Sequence, residues 1–486
     1  MTASAALSGV WRGAASASGL AASSAVARAV RLSWAFLAAR WLEQSEFGTL
    51  VYLLALLSIA QVAVDSGIDV VFIQRAGSEP ERAPRLVQAA WLLKLAGSLV
   101  IGVVCVGLGV AGDLPWIAVA SLFLLTLLGA CFNCFSSYRQ ALIRYGSVAR
   151  ANAARAGTLV ALLAGTALLG GATLEWMLAA LLISEAVGVA GLLPREIVGG
   201  WPSPSQLLLI GRPAAVIGLG TLAGIASTRV PTLALAHFGG NLDLAVFGAA
   251  SRVVEASQLV PSLVTLVTFP VLCAIVGSGE SGLDVTSERT AVVSALVGIG
   301  LTSFFSAMAP TVIVTIYGDR YAPSLLTFAM MVNILPVTFV TPVLTSVLYA
   351  KNQGRKMMRI MTADLITTAV LSVLLVPRFG PVGAAAAWMA MEAQNAILQA
   401  WTVRDLLAPR MKLLVGVMAA IPLAVAVAAL SGRVTLAGVP VAVVWAVLWY
   451  ALLASEWNCR RDWAPVLNHV RAAVRHTRQK SLVVNG

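Results

Sequence analysis

Apolar runs of about twenty residues recur from one end of the chain to the other, separated by short polar stretches rich in Arg, Gly and Pro. Wound as a helix, a run of that length matches the hydrocarbon core of a bilayer, since each residue rises about 1.5 Å. The pattern predicts fourteen spans, at about 17–41, 48–73, 86–110, 115–136, 151–170, 174–194, 207–236, 243–275, 290–316, 322–350, 357–377, 381–403, 412–430 and 437–455. Basic residues mark alternate loops. One set holds Arg75, Arg82, Arg85; Arg139, Arg144, Arg150; Arg195, Arg212; Arg289; Lys351, Arg355, Lys356, Arg359; and Arg404, Arg410, Lys412. The opposite loops hold only Arg320, Arg378 and Arg433, with Arg40 at a boundary. An excess of Lys and Arg marks the cytoplasmic side, so an even span count predicts that both termini are cytoplasmic.

Composition agrees with this picture. Only 11% of the 486 residues are charged, 59% are hydrophobic, and the mean hydropathy is +0.88, the profile of an integral membrane protein. The net charge of +12 does not indicate nucleic acid, because the basic residues lie between apolar runs and in a tail rather than in one basic domain. The first twenty residues lack a compact apolar stretch after a basic start, so no cleaved signal peptide is expected. Cys131 and Cys134 have the spacing of a redox pair, but on an apolar span they read as small packing residues. Gly211-Arg212-Pro213 lacks the ending of a phosphate-binding loop, and His237, His469 and His476 form no metal-ligand cluster. No cofactor and no enzymatic chemistry are expected, and transport is the favoured class.

Internal echoes extend that reading. Phe47-Gly48 opens the second span and Phe247-Gly248 the eighth; Gly112-Asp113 with Pro115 precedes the fourth and Gly318-Asp319 with Pro323 the tenth. Six helices per half leaves both copies in the same orientation, which predicts a parallel repeat with a cavity between two bundles. The fold class is therefore an all-α polytopic membrane protein of about fourteen transmembrane helices, two six-helix lobes related by a parallel pseudo-two-fold repeat plus a C-terminal helix pair. The expected boundaries are 1–200, 201–410, 411–456 for the extra pair and 457–486 for the basic tail.

Several short motifs, in order, carry a family resemblance. They are Arg40-Trp41-Leu42 followed by Glu46-Phe47-Gly48; Asp65-Ser66-Gly67; Ala250-Ser251-Arg252-Val253-Val254-Glu255; Tyr317-Gly318-Asp319-Arg320-Tyr321; and Gly380-Pro381-Val382-Gly383-Ala384-Ala385. Together they resemble the Wzx-type polysaccharide transport family, lipid-linked oligosaccharide flippases of the multidrug/oligosaccharidyl-lipid/polysaccharide superfamily. The resemblance implies movement of an undecaprenyl-pyrophosphate-linked glycan from the cytoplasmic to the periplasmic leaflet of the bacterial inner membrane, by alternating access through a cationic central cavity. It also implies contact with membrane lipids, coupling to H+ or Na+ or to a polysaccharide polymerase that consumes the product, and neighbouring glycosyltransferases. One departure is visible: where many relatives carry an acid near the end of the seventh span, this chain reads Thr228-Arg229-Val230-Pro231. The alternatives are a lipid II flippase, a multidrug or cation antiporter of the same superfamily, and a membrane glycosyltransferase.

Charges within the spans are the candidate site, since an arginine at the bilayer centre costs at least about 2.5 to 3.5 kcal/mol. Arg28 and Arg31 share one face of the first span and are expected to bind pyrophosphate through their planar donor forks, or else to pair with Asp65 or another acid. Arg229 is expected to counter-charge the departing substrate, and Arg252 either to bind it or to pair with Glu255. Lys94, Arg155 and Asp69 lie nearer the cytoplasmic ends, within reach of the interface. Asp65, Glu185, Glu255, Asp364 and Glu392 are the candidates for ion coupling or charge pairing. Pro261, Pro270, Pro310, Pro336 and Pro342 are expected to interrupt helices, and Pro231 to kink the seventh span. The tail, with Arg471, Arg475 and Arg478, has the spacing of a surface helix drawn to anionic lipid.

Overall fold

The computed structural model describes residues 3–65, 67–78, 82–111, 114–193, 202–278, 283–405, 409–431, 444–445 and 447–448. Helix is the only regular structure among them, as hydrocarbon requires of a chain that must satisfy its own backbone groups. Helices occupy every span expected from the first to the thirteenth: α1 (Ala3–Trp41), α2 (Gln44–Asp65), α3 (Ile68–Ser78), α4 (Ala83–Ala111), α5 (Trp116–Ala141), α6 (Tyr145–Leu169), α7 (Leu174–Ala190), α8 (Pro204–Phe238), α9 (Asn241–Ser257), α10 (Leu259–Ser278), α11 (Leu283–Tyr317), α12 (Ser324–Met331), α13 (Leu335–Ala350), α14 (Gly354–Thr402) and α15 (Pro409–Leu430). Most of the fourteenth span, and the basic tail, lie outside the described residues. Among the described residues seven helices are long and apolar enough to cross a membrane, and the bent α8 makes eight. The protein is an all-α polytopic membrane protein.

The chain divides into two compact units, Met1–Ala236 with Gly240–Ala245 and His237–Gly239 with Val246–Gly486. The boundary expected at residue 200 lies ahead of this division, because α8 starts in the first unit: its Leu207, Ile210 and Ala214 join a core built from Phe72 of α3, Val87 of α4 and Phe135 and Tyr138 of α5. The second unit has its own core, formed by Ile299 of α11, Val337 and Leu344 of α13, Met418 of α15 and Trp445.

Two spans are broken and two more are joined by a sharp turn, each with a local cause. Between α2 and α3 the chain turns at Gly67, held at φ +74°, a left-handed conformation that glycine adopts without penalty. Gly67 also lies tight against α8, where an added Cβ would stand 2.9 Å from the Ala214 carbonyl oxygen. In the tenth span, α12 passes through a 3-10 turn at Val332–Ile334 into α13, whose second residue is Pro336. There the Thr302 hydroxyl donates to the freed Val332 carbonyl at 3.0 Å, and Gly298 allows α11 to approach Pro336 closely. The 49-residue α14 is two antiparallel arms joined at Gly380 (φ 53°, ψ −130°) beside Pro377 and Pro381, with Gly383 packed on the Leu375 backbone.

The sharp bend of α8 lies nearer Pro213 than the expected Pro231. The 43° bend in α8 separates Pro204–Ala215 from Ile217–Phe238, while helix continues through Pro231.

Gly67→Ala is expected to lower the thermal unfolding midpoint in detergent by an amount equivalent to about 2 kcal/mol, from positive φ and backbone crowding together. Gly165→Ala, inside α6 where a Cβ meets nothing within 4 Å, is expected not to lower the midpoint and to raise it by up to the equivalent of about 1 kcal/mol in the same fluorescence scan.

Candidate functional site

Two charge clusters lie within the first unit. The first depends on the α6–α7 hairpin, whose ends are fixed by local chemistry. Gly170 closes α6 in the left-handed conformation, and Thr173 caps α7 by accepting from the Trp176 amide at 3.3 Å. The Trp176 indole donates to the Thr166 hydroxyl at 2.6 Å, and one stage deeper Ser184 donates to the Arg155 carbonyl at 3.1 Å. These bonds set the register that brings Arg155 of α6 beside Glu185 of α7, Nη1 to Oε2 at 3.2 Å. Arg31 of α1 pairs with the other oxygen, Oε1. Glu185 is only 2% exposed, whereas Arg31 is 38% and Arg155 16% exposed. The Arg155 guanidinium also stands over the Phe132 ring, 4.4 Å from its centroid, and an added Cβ on Gly188 would come within 2.9 Å of its stem. Two cations therefore share one carboxylate.

The second cluster has the opposite balance. Lys94 of α4, 1% exposed, reaches Asp65 Oδ1 at 2.6 Å and Asp69 Oδ2 at 2.8 Å, one carboxylate on either side of the α2–α3 break. Asn133 of α5 donates to the remaining Asp65 oxygen at 2.8 Å. Asp65 stands at the C-terminal end of its helix, where a carboxylate is disfavoured by the dipole, and the lysine offsets that cost.

These clusters correct the expected partners. Arg31 meets Glu185 rather than Asp65, whose carboxylate is taken up by Lys94 and Asn133. Lys94, Asp69 and Arg155 do not simply reach toward the interface; each is held in a specific ion pair. Arg28, one turn from Arg31, is exposed and makes no ion pair among the described residues. Arg229 lies half-buried on α8.

In the second unit, Arg252 and Glu255 meet across one turn of α9 at 2.8 Å. Asp364 and Glu392, buried on the two arms of α14, have neutral donors instead. Gln394 donates to Asp364 at 3.1 Å while accepting from Thr367 at 2.7 Å, and the Trp388 indole donates to Glu392 at 3.3 Å. Neither acid makes an ion pair with a described residue. No group of three or more metal-ligating side chains occurs among the described residues.

The pairing of Arg155 with Glu185 went unread as a unit, although a signal was present. In a helical hairpin, residues equally far from the turn lie at equal depth, and these two stand about 21 Å and 17 Å from the helix ends that face the turn.

No curated protein matches the sequence. Solved structures share the fold, two of them as follows. The lipid II flippase MurJ in its inward closed conformation matches with a TM-score of 0.64 and 11% identity, covering 90% of this chain and 99% of that one. An inward-facing multidrug resistance MATE family transporter of the MOP superfamily matches with a TM-score of 0.61 and 13% identity, over 83% of this chain and 94% of that one. Residues 37–326 match the family model described as polysaccharide biosynthesis protein. That match spans more than half of the chain, which therefore belongs to the polysaccharide biosynthesis protein family.

Proposed function

We propose that this protein carries an undecaprenyl-pyrophosphate-linked oligosaccharide from the cytoplasmic to the periplasmic leaflet of a bacterial inner membrane by alternating access. The observation that carries the reading is the sharing of one buried carboxylate by Arg31 and Arg155, which leaves an excess positive charge among apolar helices. Guanidinium groups suit phosphate oxygens because their donors form a rigid fork, and an excess of positive charge opposes cationic drugs. The alternation of basic loops supports cytoplasmic termini, hence loading from the side where lipid-linked sugars are assembled. Among the acids, Asp65, Glu185 and Glu255 are engaged by basic side chains. Asp364 and Glu392 are the buried acids facing neutral donors, which makes them the candidates for binding a coupling proton or sodium ion.

Arg31→Ala is expected to abolish surface glycan and to raise the lipid-linked intermediate in the cytoplasmic leaflet, at normal protein level. Undiminished glycan would overturn the proposal. Lys94→Met, in contrast, is expected to lower the yield of folded protein, because two half-buried carboxylates lose the buried cation they share. Combining it with Asp65→Asn and Asp69→Asn should restore the yield. In proteoliposomes, Asp364→Asn is expected to remove the dependence of transport on an imposed proton or sodium gradient; a retained dependence would assign coupling elsewhere.

A further inference from the structure

Arg155 and Glu185 have no part in an anion site built from Arg28 and Arg31, yet they are among the most tightly positioned charges of the first unit. Arg155 is held by the Phe132 ring at 4.4 Å, by contact with Gly188 and by the Ser184 bond to its own carbonyl. A guanidinium fixed this way loses little freedom when it binds an anion. Arg28 is exposed and has no ion-pair partner among the described residues that would aim it. Arg31 and Arg155 already meet on the two oxygens of one carboxylate, so their donors converge on a single oxyanion position. Arg31 is the most exposed of the three, at 38% against 16% for Arg155 and 2% for Glu185.

We infer that Arg31 and Arg155 form the diphosphate-binding pair of the first unit, and that Glu185 is the internal ligand which the diphosphate displaces. The inference rests on the flippase reading above. Glu185 then acts as a positioning residue with two effects: it holds both guanidinium groups in place while the site is empty, and it competes with the substrate once the site is filled. A transporter needs both, because a site that binds its cargo too tightly does not release it. The two phosphates can engage both forks at once, whereas the carboxylate offers each arginine a single oxygen.

The test is equilibrium binding of geranyl diphosphate to the full-length protein in nanodiscs of phosphatidylcholine, which carries no net charge to occupy the pair, with inorganic pyrophosphate as competitor. Arg31→Ala and Arg155→Ala are each expected to weaken binding by about tenfold or more, the loss of one charge-assisted anion contact. Arg28→Ala should weaken it by a smaller factor than Arg155→Ala. Glu185→Gln is expected to tighten binding several-fold, a gain that damage to the fold would not produce, and a thermal scan of each variant identifies any that unfold early. The inference is overturned if wild type binds the probe while Arg155→Ala, unfolding at the wild-type temperature, binds equally well, or if a folded Glu185→Gln binds more weakly. Failure of the wild-type protein to bind any diphosphate would overturn the flippase reading itself.

Discussion

A charge inside a bilayer has no water to turn to, so each must be met by a group the fold itself supplies, and here the arrangement of helices within each unit follows from how that is done. Lys94 is almost wholly buried and touches two aspartates on two different helices. Glu185 is as deeply buried and meets arginines from two more. Each such bond works as a pin through neighbouring helices, because sliding one past another by a single turn, about 5.4 Å, would leave a charge unmet in hydrocarbon. Apolar packing alone fixes register only weakly in lipid, where tails are as apolar as leucine.

Charge balance differs from place to place, and the differences carry the chemistry. Around Glu185 the positive charge exceeds the negative; around Lys94 the reverse holds; and along α14 two acids have only amide and indole donors. A cluster with surplus charge is a poor structural rivet and a good place to receive an ion of opposite sign. The same logic explains why glycine marks the breaks. Gly67, Gly298 and Gly383 each lie where a methyl group would meet backbone atoms of a neighbouring segment, so the helices can close in and shorten the reach between polar groups.

Much of this was legible in the residues. Helical spans followed from apolar run lengths, the turn at Gly380 from the gap between the eleventh and twelfth runs, and the pair of Arg252 with Glu255 from their spacing, whereas the break at Gly67 fell inside a run that read as one span. Pairing between spans was less so, because sequence distance says nothing about which helices become neighbours. Yet three hairpins show a usable regularity. Arg155 and Glu185, Asp69 and Lys94, and Asp364 and Gln394 each lie at similar distances from the turn joining their helices, and each pair is bonded. Depth matching across a hairpin would have found them. The contribution of α1 to Glu185 would have escaped it, since Arg31 comes from a helix not adjacent in sequence.

The 3-10 turn between α12 and α13 has a further consequence. The side-chain amide of Asn333, at its centre, donates through Nδ2 to the Ala329 carbonyl at 2.7 Å, and its Oδ1 accepts from the buried Trp445 indole at 2.7 Å. Trp445 lies beyond α15, so the last part of the chain completes the polar accounting of a break in the middle of the second unit. Trp445 is thus a late-synthesised keystone: until it arrives, the tenth span carries an unanswered acceptor in a buried stretch.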